Sequence, residues 1–458
     1  MSDDRMSDDH MSEVEDVRGR ITEHRSTRRA QGTGGHRVVV TGMGVVSPNG
    51  CGLERYTEAL RGGVSGIRHV PLLEELKFGC TVGGIPEGID EMSESYFPPD
   101  ELLAMNSSHR FGCIAAVDAW TDAGLERPDP ADDQVYWEAG AVIGTGIGGL
   151  DTAGDKLVPF VDAGRVRRLG STMVEQVMGS GVSARVAGLL SLGNQVTANS
   201  SACSTGTEAI IEGGQRIRAG LAERMLCGGT EGSSQYTWAG FDSMRVLCRA
   251  HNDEPEKASR PMSASAGGFV PGSGAAILHL ESLTSAQNRG ARIYAEVLGG
   301  AINCGGHRGG GSMTAPNAEG VRRCVRAALA DAEIDPDEID AISGHLTATG
   351  ADPKEVASWA KALERSPETL PVITSTKSMI GHALGAAGAL ESVACVLMLR
   401  DRFVHPSINC EDVHPEIEIY AGSIPHVVRE MPELNTIIKA GFGFGDVNAC
   451  TIFRRWAD

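Results

Sequence analysis

The chain has 458 residues, enough for two or three ordinary domains or for one large architecture of fused halves. Its 60 acidic residues outnumber its 41 basic ones, and the net charge of −19 argues against nucleic acid or an anionic membrane as the main partner. An anionic protein partner would need a local basic patch on this chain.

Neither a secretory signal nor a membrane span is predicted. Residues 1–36 open with "MSDDRMSDDHMSEVEDVRGR", which is acidic and nearly duplicates itself, so they are interpreted as a disordered tail. The longest apolar run, residues 386–399, carries Glu391 and is shorter than a membrane span.

Beyond the tail, short β-branched runs alternate with Ala- and Gly-rich segments of helical character, which is the pattern of an α/β fold. Several runs are apolar on both faces, as a sandwiched sheet requires. Strands are predicted over residues 37–42, 139–144, 194–199, 275–280, 291–299, 370–375 and 436–442.

A weak internal repeat connects the two halves of the chain. Residues 195–210 and 371–390 each contain an extended run followed by a helix that opens with very small residues. Small residues let such a helix pass close to neighbouring backbone, and its free N–H groups point at whatever lies there. The polar segment 281–292 is the natural joint between the halves.

The stretch "GTGIGG", residues 144–149, formally matches GxGxxG and follows a predicted strand. A dinucleotide site would need an acidic residue at the end of a second strand about 20 residues later, and none is present. A tight glycine turn is therefore the preferred interpretation, and no cofactor is expected.

Eleven cysteines are scattered singly, without a CxxC pair or zinc-type spacing, so the sequence predicts no disulfide framework and no metal site, and it indicates the cytoplasm. Most of them are interpreted as small buried hydrophobes. Cys203 differs, because it lies in "NSSACSTGTEA" at a predicted helix start. There the macrodipole and free amides would lower the pKa of the thiol and hold an oxyanion.

Two histidines lie in similar surroundings. His345 follows the apolar run "IDAI" in a threonine-rich loop, and His382 lies five residues after Lys377 in "STKSMIGHALGAAG". A lone histidine is usually structural, but two of them at strand exits favour a catalytic role. The stretch "KAGFGFGDVNA", residues 439–449, is either a hairpin turn or a mobile loop gated by an aromatic ring.

In this order, the cysteine turn, the histidine loop, the Lys-x4-His segment and GFGFG closely resemble the β-ketoacyl-acyl-carrier-protein synthases, condensing enzymes of the thiolase superfamily. The resemblance covers nearly everything after the tail. It implies a thiolase fold of two pseudo-repeated halves, residues 37–285 and 286–458, stacked as five layers αβαβα. It also implies a dimer, homomeric or with a ketosynthase-like subunit.

The resemblance assigns roles to matching positions. Cys203 would accept the acyl chain, and His345 and His382 would stabilise the enolate left by decarboxylation of a malonyl thioester. Lys377, paired with Glu391, would order the site. The remaining implied residues are the amide of Phe444 in the oxyanion hole with that of Cys203, the aromatic gate with Phe442, and loop support by Thr347, Thr349, Asp352 and Glu355.

Several positions depart from the family pattern. Leu346 stands where the family commonly has glycine, in a loop that is apparently one residue shorter. Gly267 and Ser273 replace carboxylates, and Asp446 replaces a second glycine in the gating stretch, which should stiffen it or add a charged contact. These departures suggest a specialised pathway enzyme more than the housekeeping fatty-acid elongase.

The implied reaction is decarboxylative Claisen condensation with malonyl-acyl-carrier protein, in fatty-acid or type II polyketide biosynthesis. The alternatives are an acyltransferase or cyclising condenser that uses the same cysteine, and a non-catalytic partner like a chain-length factor. Because acyl-carrier proteins are acidic, docking needs local arginines. The candidates are Arg110, Arg245 and the cluster Arg165, Arg167 and Arg168.

Overall fold

The computed structural model of the protein describes residues 35–457, and the predicted tail lies outside these residues except for its last two. In chain order the strands are β1 (Val38–Ser47), β2 (Gly50–Cys51), β3 (Ile67–His69), β4 (Val82–Gly84), β5 (Ala139–Gly144), β6 (Val196–Thr197), β7 (Arg224–Glu231), β8 (Gly274–Ser282), β9 (Ala295–Cys304), β10 (Ala341–Ser343), β11 (Val372–Thr374), β12 (Phe403–Val404), β13 (Arg429–Glu430), β14 (Thr436–Gly443) and β15 (Val447–Arg455).

Helices of eight or more residues are α1 (Leu53–Gly62), α2 (Ile89–Tyr96), α3 (Ser107–Asp122), α4 (Gly181–Leu190), α5 (Thr205–Arg218), α6 (Gln235–Ser243), α7 (Ala318–Asp331), α8 (Asp352–Ala362) and α9 (Ala387–Asp401). Shorter α-helices span Pro71–Glu75, Pro99–Leu102, Leu150–Thr152, Val158–Asp162, Met173–Val177, Leu283–Asn288 and Lys377–Ile380. A π-helical turn spans Ala153–Leu157, and 3₁₀ turns span Val166–Arg168, Ala202–Ser204, Pro255–Lys257, Pro336–Glu338, Leu384–Ala386 and Pro415–Ser423.

The main sheet consists of two five-stranded groups with the same internal pattern. The first group runs β6, β5, β7, β8, β1, and the second runs β11, β10, β14, β15, β9. In each group the first two pairings are parallel and the last two are antiparallel. This repeat of strand order and direction is the structural counterpart of the weak sequence repeat.

The two groups meet where β1 pairs with β9, antiparallel, through Val38–Val40 and Ala295–Val297. The predicted joint holds the short helix Leu283–Asn288, which connects β8 to β9. Within the described residues, 37–457 form one compact unit. Where each half begins and ends within this unit stays a prediction.

Two central helices separate the two groups of strands. α5 contacts β5 and β7 of the first group and β9 and β15 of the second, and α9 likewise contacts strands of both groups. Every residue of α9 from Ala387 to Leu399 is buried, as a helix between two sheets requires. With α3 on the outer face of one group and α7 on that of the other, the layers are αβαβα. The predicted fold class is confirmed.

Small residues set the distance between the central helices, as the sequence predicts. A Cβ placed on Gly206 would lie 2.6 Å from Ala389 N, and one on Gly388 would lie 2.6 Å from Thr207 N. Because these atoms are backbone, α5 and α9 can cross this closely only with glycine at both positions. This crossing brings the N-terminal ends of both helices to one place.

All seven predicted strands exist, with shifted bounds. β9 begins at Ala295 instead of residue 291, and β6 keeps only Val196–Thr197. The long strands β7 and β15 were not predicted, and neither were the two- and three-residue strands β2, β3, β4, β12 and β13. β10 corresponds to the apolar run before His345. Among the described residues, no helix is long and apolar enough to cross a membrane.

Candidate active site

Cys203 lies in the turn between β6 and α5. A 3₁₀ turn, Ala202–Ser204, precedes the helix, which begins at Thr205 and not at Cys203. Ala202 has φ +49°, in the left-handed region that residues with a Cβ rarely adopt. The Thr205 hydroxyl stabilises this turn, because it donates to Ala202 O (2.7 Å) and accepts from Ser201 N (2.8 Å).

The two predicted histidines lie beside this cysteine. His382 Nε2 is 3.0 Å from Cys203 Sγ, and the ring centroids of His345 and His382 are 5.4 Å apart. One side-chain ligand atom from each of the three residues lies within 4.8 Å of the others. β10 brings His345 to this place from the second group of strands, and Gly381, at φ +70°, turns the chain into His382.

The structure gives the Cys203 thiol the opposite pKa shift from the one predicted. Burial raises its pKa to about 11, although the Lys377 charge and a hydrogen bond from the Phe444 amide act to lower it. Burial also lowers the pKa of His345 and of His382 well below the usual value, helped by the Lys377 charge. At neutral pH the site therefore holds a neutral thiol and two neutral imidazoles.

Lys377 and Glu391 form a buried ion pair behind the histidines. Lys377 Nζ bonds to Glu391 Oε1 and also donates to the backbone oxygen of His345 (2.6 Å). Both side chains are almost completely buried. The expected pairing is therefore present, and it connects α9 directly to the backbone of the histidine loop.

Two carboxylates at the start of α8 hold the loop after His345. Glu355 accepts hydrogen bonds from the amides of His345 (2.6 Å) and Leu346 (2.8 Å). Asp352 accepts from the amides of Thr347 (2.9 Å), Ala348 (3.0 Å) and Met262 (2.9 Å). Burial and the Asp352 charge raise the pKa of Glu355 to about 7.

The same loop accommodates its departure from the family pattern. Leu346, in place of glycine, has φ +27°, and Ala348 has φ +61°. Backbone strain of this kind persists only where surrounding contacts enforce it. The amide bonds to the two carboxylates provide that enforcement. The Thr347 and Thr349 hydroxyls lie 3.1 Å apart and face the cavity that contains Cys203.

The glycine-rich stretch forms the hairpin between β14 and β15. Phe442 is buried against the rings of His345 (6.0 Å) and Trp359 (6.3 Å), measured between centroids. The ring of Phe444 lies 5.9 Å from that of Phe241 and lines the cavity. The Phe444 amide faces Cys203, where the resemblance places it.

Asp446 ties this hairpin to a neighbouring loop. Its buried carboxylate accepts hydrogen bonds from the amides of His307 (3.0 Å) and Asn317 (2.7 Å), and its φ is +60°. Gly445 N donates to Met313 O (2.8 Å) within the same loop. The carboxylate in place of glycine thus adds contacts of a charged group to the turn, which is one of the two effects that the sequence predicts.

A cavity of about 530 Å³ opens onto these groups. Its wall combines the polar groups of Cys203, His345 and His382, called the trio below, with apolar side chains, as is typical of small-molecule sites. The trio is also the cluster whose spacing could hold a metal ion among residues 35–457. The lining includes Cys203, His345, His382, Thr347, Thr349, Phe269, Phe442 and Phe444.

Glu231, at the end of β7, was missed by the sequence analysis. Its buried carboxylate accepts hydrogen bonds from Gly146 N (2.8 Å), Ile147 N (3.0 Å) and Gly385 N (2.9 Å). Two amides of "GTGIGG", those of Gly146 and Ile147, are therefore occupied by a carboxylate of the chain itself, in agreement with a tight turn. A glutamate between glycines, in "GGTEGS", was the available signal.

The two arginines proposed for carrier docking differ in their surroundings. Arg245 is exposed, follows the cavity-lining residue Met244, and has no ion-pair partner within residues 35–457. Arg110 is engaged by Asp90 at 2.5 Å. Arg165, Arg167 and Arg168 are exposed around a 3₁₀ turn.

The sequence matches two family descriptions, the N-terminal domain of beta-ketoacyl synthase over residues 35–286 and its C-terminal domain over residues 294–411. It is 36% identical over 429 residues to 3-oxoacyl-[acyl-carrier-protein] synthase 2 of Rhizobium meliloti, covering 92% of this chain and 99% of that one. A chloroplastic synthase I of Arabidopsis thaliana is 35% identical, with coverage of 91% and 86%.

Solved structures of the same kind are similar along the whole fold. The ishigamide ketosynthase/chain length factor has a TM-score of 0.81 at 31% identity, covering 92% of this chain and 100% of that one. A beta-ketoacyl synthase from Burkholderia phymatum has a TM-score of 0.83 at 28% identity, with the same coverage. A type II ketosynthase solved with its acyl-carrier protein has a TM-score of 0.81 at 29% identity, again with that coverage.

Proposed function

The chain belongs to the beta-ketoacyl synthase family and is an acyltransferase that condenses acyl thioesters in fatty-acid or polyketide biosynthesis, and we propose that Cys203, His345 and His382 carry this chemistry. The observation that supports this assignment is the 3.0 Å contact between Cys203 Sγ and His382 Nε2, with His345 beside it. The neutral thiol needs a proton acceptor within reach, and His382 Nε2 is one.

In the first half-reaction, the Cys203 sulfur attacks the carbonyl of the acyl thioester. The thiol proton passes to His382 Nε2 and then to the departing carrier thiol, so that one thioester replaces another. The amides of Cys203 and Phe444 hold the oxyanion of the tetrahedral intermediate.

In the second half-reaction, the bond from the malonyl carbon to its carboxylate breaks and carbon dioxide leaves. The electron pair forms an enolate, whose oxygen accepts a hydrogen bond from the Nε2–H of His345. It accepts a second from His382 once the ring proton of this neutral imidazole, carried on Nδ1 while Nε2 accepts the thiol proton, has exchanged to Nε2. The enolate carbon attacks the acyl group on Cys203, the C–S bond breaks, and the thiolate takes a proton from solvent. No carbon base is needed, because decarboxylation generates the carbanion.

Single substitutions test these roles. We expect Cys203→Ala to abolish the mass increase that acyl thioesters cause in the intact protein. His345→Ala and His382→Ala should each lower the rate of carbon dioxide release from malonyl-carrier protein by about a hundred- to a thousandfold. Cys304→Ala, which removes an exposed cysteine, is the control. Wild-type release rates in both histidine variants would refute the assignment.

The alternatives give different products. An acyltransferase or cyclising condenser would form the Cys203 thioester but release no carbon dioxide with malonyl carrier. A partner like a chain-length factor would not be acylated, and the presence of the whole trio argues against it. Product mass with acyl and malonyl thioesters therefore separates the three.

We also propose an acyl-carrier protein and a second ketosynthase-like subunit as partners. Exposed Arg245 beside the cavity supports docking of an acidic carrier, and Arg245→Glu should weaken carrier binding at low salt. Exposed apolar side chains along residues 147–178 support a subunit interface. They are Ile147, Val158, Val161, Val166, Val174 and Met178. The molar mass of the protein in solution tests whether two subunits associate.

A cytoplasmic location is proposed on the state of the cysteines. All eleven are free, ten of them buried or half-buried, as a reducing compartment allows.

A further inference from the structure

A second buried lysine contacts the Glu391 carboxylate. Lys439, on β14, has a fully buried side chain, and its Nζ lies 2.9 Å from Glu391 Oε2. Lys377 Nζ pairs with the other oxygen, Oε1. Glu391 therefore lies between two ammonium groups, of which the sequence analysis assigned only one.

The other partners of Lys439 belong to elements that carry the active site. Its Nζ donates to Thr207 Oγ1 (3.0 Å) on α5, the helix that follows Cys203, and to Ala440 O (2.8 Å) on β14. The contact with Glu391 is an ion pair without hydrogen-bond geometry. One ammonium group thus connects α5, α9 and the strand that carries Phe442.

A stabilising role alone does not explain this arrangement. A buried ion pair is often no more stable than well-packed apolar side chains of the same volume, because desolvation offsets the attraction. Here two lysines share one carboxylate, so the cluster of Lys377, Lys439 and Glu391 has an excess positive charge. The Lys439 charge acts, after burial and Lys377, to lower the pKa of both His345 and His382.

The contacts also define a path to the histidine loop. Lys439 contacts Glu391, Glu391 contacts Lys377, and Lys377 Nζ donates to His345 O at 2.6 Å. Glu231 is a further carboxylate close enough to influence Cys203, but its oxygens are bonded to backbone amides of two loops. Lys439 is therefore the additional charged residue whose contacts lead to the His345 loop.

We propose that Lys439 is a positioning residue for the decarboxylation half-reaction. It fixes the Glu391 carboxylate and, through Lys377, the position of the His345 loop. This inference rests on the proposed roles of His345 and His382.

The test is Lys439→Met, which keeps the apolar stem and removes the charge, with the exposed Lys361→Met as matched control. We expect kcat for carbon dioxide release from malonyl-carrier protein to fall ten- to a hundredfold, with KM within twofold. The rate of Cys203 alkylation should also stay within twofold, because Lys439 is not among the charges that dominate at the thiol. A general structural defect would slow both reactions together.

Two further variants make the test decisive. Thr207→Val keeps the shape of the side chain and removes one hydrogen-bond acceptor of Lys439. We expect the rate of decarboxylation to fall two- to fivefold. If Lys439→Met does not fold, this variant tests the role of Lys439 in its place. In a Glu391→Gln background, Lys439→Met should change the rate by less than twofold, because the two residues act through one contact.

The inference is overturned by equal losses of decarboxylation and alkylation, by an unchanged rate in Lys439→Met, or by a full additional loss in the Glu391→Gln background. Failure of the proposed function gives a different result, since His345→Ala and His382→Ala would then retain wild-type release of carbon dioxide.

Discussion

At the residue scale, Cys203 combines two opposing influences on its thiol. The helix N-terminus, Lys377 and the Phe444 amide favour the thiolate, whereas burial favours the neutral form and prevails. The sequence indicates the first influence, because small and hydroxyl residues mark a helix start. It does not indicate the second, because burial of this turn depends on the second half of the chain folding over it.

The raised pKa of the Cys203 thiol predicts how alkylation depends on pH. With a pKa of about 11, the thiolate fraction rises about tenfold for each unit between pH 7 and 10. We expect the rate of iodoacetamide labelling at Cys203, followed by peptide mass, to rise in the same way. Lys377→Met should slow labelling at every pH in this range, because it removes a charge that lowers the pKa. A rate that levels off below pH 9 would contradict the prediction.

At the element scale, the sequence predicts those elements whose residues have the usual local preferences. The β-branched runs of β1, β5 and β14 lie close to their predicted positions. β7 was missed because Gly228 and Gly229 interrupt its pattern. Its glycines are required by neighbouring backbone, since a Cβ on Gly228 would lie 2.0 Å from Ala276 O and one on Gly229 would lie 2.3 Å from Gly385 O.

Local sequence patterns also limit which residues of the candidate site can be predicted. Cys203, His345, His382, Lys377 and Glu391 were all predicted, because each lies in a distinctive sequence motif. Glu231 and Lys439 were not, because their roles depend on contacts between segments far apart in the chain. The separation is 154 residues for Glu231 with Gly385 and 232 residues for Lys439 with Thr207. The glutamate in "GGTEGS" marks Glu231 itself, but nothing local in one sequence identifies the distant partner of either residue.

The crossing of α5 and α9 predicts opposite effects for two similar substitutions. Gly388→Ala would place a methyl group 2.6 Å from Thr207 N, so the helices must separate, and we expect a loss of about 1–3 kcal/mol or more in the free energy of unfolding. Gly214→Ala, in α5 where nothing lies within 4 Å, should gain about 0.5–1 kcal/mol from helix propensity. Denaturant unfolding measures both, and equal effects would contradict the close crossing.

At the scale of the whole molecule, burial gives the core a set of neutral histidines. Burial lowers the pKa of His109 to about 4, of His279 to about 3 and of His405 to about 4. His345 and His382 are lowered well below the usual value. Since these groups stay neutral in the folded protein but bind protons when unfolded, stability is complete above about pH 6.5 and is lost as the pH falls.

Carboxyl groups whose pKa is raised by burial act in the opposite direction, and Glu355 has the largest of these shifts. Glu355, with a pKa of about 7, binds a proton in the folded state between about pH 4.5 and 7, so its contribution falls as the pH rises. The pKa values of Asp118, Glu212, Glu231 and Asp352 are raised as well, whereas the pKa of buried Glu281 is lowered to about 2. Five histidines each contribute a slope of about 1.4 kcal/mol per pH unit, so they exceed this opposing effect between about pH 6.5 and 5.

We therefore expect the melting temperature to fall steeply from pH 7 to pH 5. His279→Gln should reduce the accompanying loss in the free energy of unfolding by about 2 kcal/mol, because one proton fewer is bound by the unfolded chain from pH 6.5 to 5. His426→Gln is the matched control, because the side chain of His426 is exposed in the folded protein. The prediction concerns how the free energy of unfolding changes with pH and not its value at one pH. It therefore holds even if His279→Gln is less stable at pH 7. A melting temperature that is constant or rises from pH 7 to 5 would show that the buried carboxyl groups outweigh the histidines.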